Sequence, residues 1–268
     1  MTDKILITGC AGLVGSTAVR YFSQYYSVVG IDNNGRLHLS GKDTDPVRKS
    51  IQNTPNFTYR YADVRILDPI QQIFDTEQPK FVLHCASQSD HNIAKTKTYA
   101  DITTNVLGTA NVLQASKQAI FLYLSQIEPT PSQQAAELIV KQYNAAIFRC
   151  GNIVGTNEQN CGLLNEMCWS AKNEGKVKYC SQITDLLYAW DLMIAIHFYF
   201  QNPKEKEYEI GGNDCHTDKI VQKIKEYREI SIVNDGKCYP CSNSTKFHND
   251  YSWTITRDIN SMIEELMR

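Results

Sequence analysis

The chain has 268 residues, 42% of them apolar, and a formal net charge of −2 from 27 basic and 29 acidic side chains. This is enough apolar material for one large core, or for one domain with a small appendage. The charges are interspersed, which gives no basic face for nucleic acid or an anionic membrane, and no apolar run reaches the ~18 residues of a membrane span. "MTDKILITG" enters a strand-like run without a basic and then apolar leader, so a cytoplasmic protein is the expectation.

In chain order, "KILIT" (4–8) reads as an apolar strand, and "LVGSTAVRYFSQY" has its apolar residues at helical spacing. Strands follow at "SVVGID" (27–32), "FTYRYAD" (57–63) and "KFVLHCA" (80–86). "ITTNVLGTANVLQASK" reads as one long helix, "AIFLYLS" (119–125) as a strand, "QQAAELIVKQY" as a helix and "AAIFRCGNIVG" (145–155) as a sixth strand. Near-continuous apolar strands separated by helices predict an α/β fold, a Rossmann-like doubly wound parallel sheet covered on both faces. Beyond Gly155 the pattern mixes an apolar helix at 189–201, a short strand at 207–212 and a closing helix "RDINSMIEELMR". The expected division is a cofactor-binding part, 1–155, and a reduced mixed α/β lobe, 156–268, packed on it as a single compact unit.

Nine scattered cysteines, an odd number without an export signal, favour reduced thiols. Cys238 and Cys241 in "CYPC" would need Cys215 and His216 to complete a zinc site; small structural residues are the preferred reading, and no metal is expected.

Chemistry is first legible in "TGCAGLVG", which places Gly9, Gly12 and Gly15 between the first strand and the first helix. One glycine makes the sharp turn, one lets a pyrophosphate approach the backbone, and the third lets helix and strand pack closely. The helix N-terminus then offers free N–H groups to the phosphates, and Leu13 and Val14 lie in that turn. Asp32 ends the second strand, 17 residues after Gly15, where a carboxylate binds ribose hydroxyls and repels a 2′-phosphate. NAD is therefore expected rather than NADP. Asn33 stands beside it, and Asp63 and Val64 close the third strand where an adenine could lie.

Together with "VLHCASQSDHNIA", "TNVLGTANVLQAS", "FRCGNIVG" and "YSWTITRDINSMIEE", these stretches resemble the extended short-chain dehydrogenase/reductases, the NAD-dependent epimerase/dehydratase family of nucleotide-sugar enzymes. The "DNNGR" and "SWTITRDI" stretches resemble its CDP-paratose 2-epimerase (CDP-tyvelose epimerase)-like members. The resemblance implies a pyrophosphate loop at Gly9, Gly12 and Gly15, a ribose acid at Asp32 and adenine contacts at Asp63 and Val64. It also implies that Cys85, Ala86 and Ser87 pass under the nicotinamide-side ribose, and that Asn105 is the asparagine opening "TNVLGT". Members transfer a hydride from a sugar carbon to bound NAD and back, and they usually dimerise through two helices. Those helices correspond to 105–117 and 132–143, with apolar faces Val106, Ala110, Val112, Leu113 and Ala136, Leu138, Ile139. A homodimer with a nucleotide-sugar ligand is thus expected, although the same faces would suit burial within one chain.

Family members take the proton from the sugar hydroxyl with a Tyr whose pKa is lowered by a Lys four residues on, beside a Ser/Thr. A free phenol titrates near ~10, so the cation is what makes it a base at neutral pH. Alignment through Glu137 puts Gln133 at the Lys and Pro129 at the Tyr, with Ile127 at the Ser/Thr. None of the fifteen tyrosines has a Lys at +4; Tyr61 has Arg65 there, at the adenine end. His91 is the one substitute acid/base named, against the plain reading of an exposed loop histidine. His84 could relay a proton or simply sit in the core, and Arg149 could meet a substrate phosphate or form an ion pair. Two functions stay open: a cofactor-binding homologue without the Tyr–Lys machinery, or an active NAD-dependent epimerase or oxidoreductase with a substitute base.

Overall fold

A computed structural model describes residues 3–41, 43–155, 162–234 and 241–268. Its strands are β1 (Lys4–Thr8), β2 (Ser27–Asp32), β3 (Phe57–Tyr61), β4 (Phe81–His84), β5 (Ile120–Gln126) and β6 (Ala146–Cys150), followed by β7 (Asn152–Val154), β8 (Lys176–Tyr179), β9 (Ile183–Tyr188), β10 (Glu207–Ile210), β11 (Asn213–His216) and β12 (Ser231–Asn234). Seven of them form one sheet in the order β3-β2-β1-β4-β5-β6-β10, every pair parallel. The order reverses between β1 and β4. Ligands of such sheets bind at that switch point, outside the carboxyl ends of the strands.

Alternation along the strands builds two apolar layers. Ile5 and Ile7 of β1 join Val28, Leu83, Leu122 and Phe148 on one face, together with residues of the helices Leu13–Phe22 and Ala189–Gln201. Leu6 joins Val29, Val82, Phe121 and Ile147 on the other, with residues of the helices Leu67–Glu77, Gly108–Ser116 and Pro131–Gln142. Each such fully buried side chain contributes roughly 1.5–3 kcal/mol, which explains why the inner strands read as continuous apolar runs.

The chain beyond residue 155 supplies both the seventh strand, β10 beside β6, and the helix Ala189–Gln201 on the first apolar face. The remainder adds β9 and β11 to β7 in a small sheet and forms the pair β8-β12, around Leu164, Met167, Ile220, Ile224 and Ile263. None of the described helices is long and apolar enough to cross a membrane.

Beyond strand ends shorter by a residue or two, two elements differ from expectation. The sixth strand is cut into β6 and β7 at Gly151, where a Cβ would lie 2.2 Å from an Asp185 carboxylate oxygen; the chain bends there to let β9 in. The long helix after residue 101 contains a π turn, Thr103–Leu107, before Gly108–Ser116. Hydropathy does not register such an extra residue, and the turn carries Asn105.

Candidate functional site

At the carboxyl end of β1 the glycine turn is set by close approach. Gly9 has φ +67°, and a Cβ there would stand 2.9 Å from the backbone of Ala86. On Gly15 it would stand 2.1 Å from Gly9 O and 2.7 Å from Cys10 Cα. Gly12 is different, since a Cβ would meet only Gly9 O, at 3.3 Å. The protein itself thus requires glycine at 9 and 15, while at 12 a Cβ would press on one backbone oxygen alone, at the helix N-terminus. That helix has neither a side-chain cap nor an acid in its first turn, and the amides of Leu13, Val14 and Gly15 have no acceptor within it. Uncapped N–H groups beside a glycine fit an anionic pyrophosphate.

Asp32, at the end of β2, faces this turn. Its carboxylate accepts from Ala11 N at 3.0 Å and from Asn34 N at 2.8 Å. Burial raises its pKa, and those backbone donors pull the other way. Asn33 accepts from Gly35 N at 2.8 Å, which shapes the turn after the acid. At the neighbouring β3 end, Asp63 holds Arg65 through its backbone N–H and guanidinium. Val64 is buried, and its carbonyl accepts from Asn111 Nδ2 at 2.9 Å.

Beyond β4, Cys85, Ala86 and Ser87 pass beside the glycine turn, and Ala86 N is held by Thr8 Oγ1 at 3.1 Å. Burial pushes the Cys85 thiol well above its ordinary pKa, so it is inert as a nucleophile. Asn105 is fully buried. Its Oδ1 accepts from Ser87 Oγ at 3.0 Å and Gln88 N at 2.7 Å, and its Nδ2 donates to Gln88 O at 2.7 Å and Ser132 Oγ at 2.8 Å. Gln133 closes the network. Its Oε1 accepts from Thr130 N at 3.0 Å and Gln126 Nε2 at 2.7 Å, and its Nε2 donates to Ser87 Oγ at 3.1 Å. With Thr130 it forms the capping box that starts the helix Pro131–Gln142. The sequence reading missed Gln88, Asp101, Gln126, Thr130 and Ser132 as members. Thr130 with Gln133, spaced as a capping box, was the available signal.

The other candidates separate cleanly. His84 is a core residue, with Thr8 Oγ1 at 2.6 Å and Thr109 Oγ1 at 3.0 Å on its two ring nitrogens. Burial lowers its pKa from 6.5 to about 3. Between those values the unfolded chain holds a proton that the folded chain does not. This contribution to stability is therefore lost as pH falls through that window, by up to ~1.4 kcal/mol per unit. The urea midpoint is expected to drop from pH 7 to pH 5 more steeply in the native chain than in His84→Gln. Arg149 is an ion-pair residue between Glu137 and Glu207. His91 is exposed, at the start of a short helix capped by Asp90. Tyr123 is fully buried, and desolvation first, then Glu137, raises its phenol far from any useful base. Cys238 lies outside the described residues. Cys241 is exposed, and Cys215 lies against the carbonyl of His216 at 3.3 Å. No three His, Cys, Asp or Glu side chains converge among the described residues.

Strand order, glycine turn and acid at the end of β2 define a Rossmann-like dinucleotide fold. Comparison narrows this. Residues 5–128 match the NAD dependent epimerase/dehydratase family. The chain is 23% identical to dTDP-glucose 4,6-dehydratase of Haemophilus influenzae, over 84% of this chain and 80% of that protein. It is 33% identical to Protein CapI of Staphylococcus aureus, but over only 34% of that protein's length. Among solved structures, dTDP-glucose 4,6-dehydratase of Bacillus anthracis in complex with NAD superposes with TM-score 0.84 at 20% identity, covering 99% of this chain and 95% of that one. UDP-glucuronic acid 4-epimerase of Bacillus cereus, in complex with UDP-glucuronic acid and NAD, gives 0.85 at 16% identity and 98% of both chains. The first part of the chain is thus similar to the NAD dependent epimerase/dehydratase family, and the whole chain shares the fold of these solved dehydratases and epimerases.

Proposed function

We propose that this protein binds NAD in the cleft at the β1–β4 switch point and has lost the proton acceptor of its relatives, so that it is a cofactor-binding homologue and not a working epimerase. On this reading Gly9, Gly12, Leu13, Val14 and Gly15 receive the pyrophosphate, and Asp32 with Asn33 receives the adenosine ribose. Asp63 and Val64 flank the adenine, and Cys85, Ala86, Ser87 and Asn105 form the floor under the nicotinamide-side ribose. Residues 1–155 carry these contacts, and 156–268 form the side facing a nucleotide-linked sugar, CDP-linked by the resemblance of "SWTITRDI".

The observation that carries the proposal is Gln133. Where the resemblance puts the lysine, a neutral amide is 1% exposed and bonded to Gln126, Thr130 and Ser87. It supplies no charge to lower a phenol's pKa, and Tyr123, the neighbouring phenol, is buried with its pKa raised.

The test is a calorimetric titration with NAD, followed by absorbance at the reduced-nicotinamide band while CDP-, UDP- and dTDP-linked hexoses are added. Binding without a spectral change or sugar conversion is the expected result. Reduced cofactor or epimerised sugar would reverse the proposal. Loss of that signal in His91→Ala would then assign turnover to His91, which is exposed in the segment after Ser89, whose carbonyl accepts from Gln126 Nε2 at 3.2 Å.

Sedimentation of the same sample reads the proposed homodimer. Val112, Leu113 and Ala136 are buried within the chain, so the contact would rest on the outer residues of the paired helices. Leu107 and Leu138 there are 45% and 70% exposed.

A further inference from the structure

We infer that a second binding site, for a small organic carboxylate with a flat apolar body, lies at the amino end of the sheet, in the cavity where β5, β6 and β10 begin. It is independent of the proposed cofactor site, which lies at the carboxyl ends of the strands. The seven residues of β5 put about 20 Å between the two ends, at ~3.3 Å per residue.

The cavity holds about 200 Å³, more than the ~150 Å³ that accepts a benzene ring. Leu113, Phe121 and Ala145 give it an apolar wall. Its ionisable lining is two lysines, Lys117 and Lys206, and two tyrosines, Tyr143 and Tyr199, without an acid. Lys117 is spent outward on Asp75 at 2.8 Å. The exposed Lys206 has no ion-pair partner among the described residues.

Tyr199 is 1% exposed, its ring packed edge-on against Phe148 at 5.2 Å. It lines the cavity, and its hydroxyl bonds no described residue. Burial pushes its pKa up to about 12, so at neutral pH it is a donor. The unspent groups are therefore donors, one of them charged, beside an apolar wall. That combination fits a carboxylate on a flat apolar body.

Backbone strain marks the same place. Lys117 has φ +45° and ψ −101°, in the turn that Ala119 N closes on Ser116 O at 2.9 Å. Glycine alone enters this region without strain, and such strain collects at ligand sites. The helices Gly108–Ser116, Pro131–Gln142 and Ala189–Gln201 also end here, and bare terminal carbonyls would oppose an anion. Main-chain amides already hold carbonyls at each end: Ala119 N on Ser116 O, Tyr143 N on Ile139 O, Ala145 N on Val140 O and Asn202 N on Phe198 O. The lysines then set the sign.

The test is a calorimetric titration of the full chain with benzoate, against benzylamine, benzyl alcohol and acetate, which change in turn the sign, the charge and the ring. Benzoate is expected to fill one site, at least about tenfold more tightly than any of the three. Lys206→Met and Tyr199→Phe should each weaken it at least about fivefold, the loss of one hydrogen bond to a charged group. Both should melt with the native chain, since one residue is exposed and the other keeps its ring; Lys206→Arg should retain affinity. No saturable benzoate binding up to about 10 mM, equal affinity for any of the three analogues, or benzoate binding that neither variant weakens overturns the inference.

Discussion

Arg149→Met is expected to destabilise the fold by roughly 3 kcal/mol, the low end of what breaking a buried ion pair costs. The Arg149 guanidinium joins Glu137 of the helix Pro131–Gln142, with Nε 3.0 Å from Oε1, to Glu207 of β10 at 3.0 Å. Lys141 also reaches Glu207 at 3.0 Å, on the outer side. The side chain of Glu137 is 8% exposed and that of Arg149 21%. Removing the cation therefore leaves a carboxylate that neither water nor a second charge can serve, whereas Glu207, 41% exposed, is still solvated. The destabilisation should appear as a lower urea midpoint. The double variant Arg149→Met with Glu137→Leu should recover most of it, because an apolar pair in that space carries no desolvation cost. A single variant as stable as the native chain would refute this account of how β6, β10 and the helix are locked together.

The same pair shows where sequence reading stops. Arg149 was legible as a strand-end cation, but nothing in "FRCGNIVG" says whether it faces a substrate or a carboxylate twelve residues upstream. The partner depends on which way the strand pleats and on where the helix before it settles. The inner strands were legible because burial on both faces makes them continuously apolar. β3, at the sheet edge, is more exposed, and it ends two residues before the expected end. The small sheets of the second half were not legible, since four-residue strands such as β8 and β12 carry too few residues to show a period.

In the candidate site the glycine turn was the readable part, because its geometry is imposed by backbone approach within a few residues. The network of Ser87, Asn105, Ser132 and Gln133 was not. Its members come from three separate segments, and each looks like an ordinary polar residue in its own context. Only the fold brings the amide of Gln133 against the hydroxyl of Ser87.

Gly15→Ala and Gly12→Ala are expected to fail in different ways, and the contrast separates folding from binding. At Gly15 the new methyl would lie 2.1 Å from Gly9 O and 2.7 Å from Cys10 Cα. Both are backbone atoms, so no rotamer can relieve the contact; helix and turn must part. Overpacking of a rigid core costs roughly 1–3 kcal/mol even where side chains can yield, so Gly15→Ala should show both a lowered thermal midpoint and lost NAD binding. At Gly12 the methyl would meet only Gly9 O, at 3.3 Å, and the backbone has φ −78° and ψ 173°, which any residue adopts. Gly12→Ala should therefore melt within a few degrees of the native chain. It should still bind NAD at least about a hundredfold more weakly, close to 2.7 kcal/mol, because the methyl stands where the pyrophosphate must approach the amides of Leu13 and Val14. Undiminished affinity in a well-folded Gly12→Ala chain would mean that the dinucleotide does not lie against this turn.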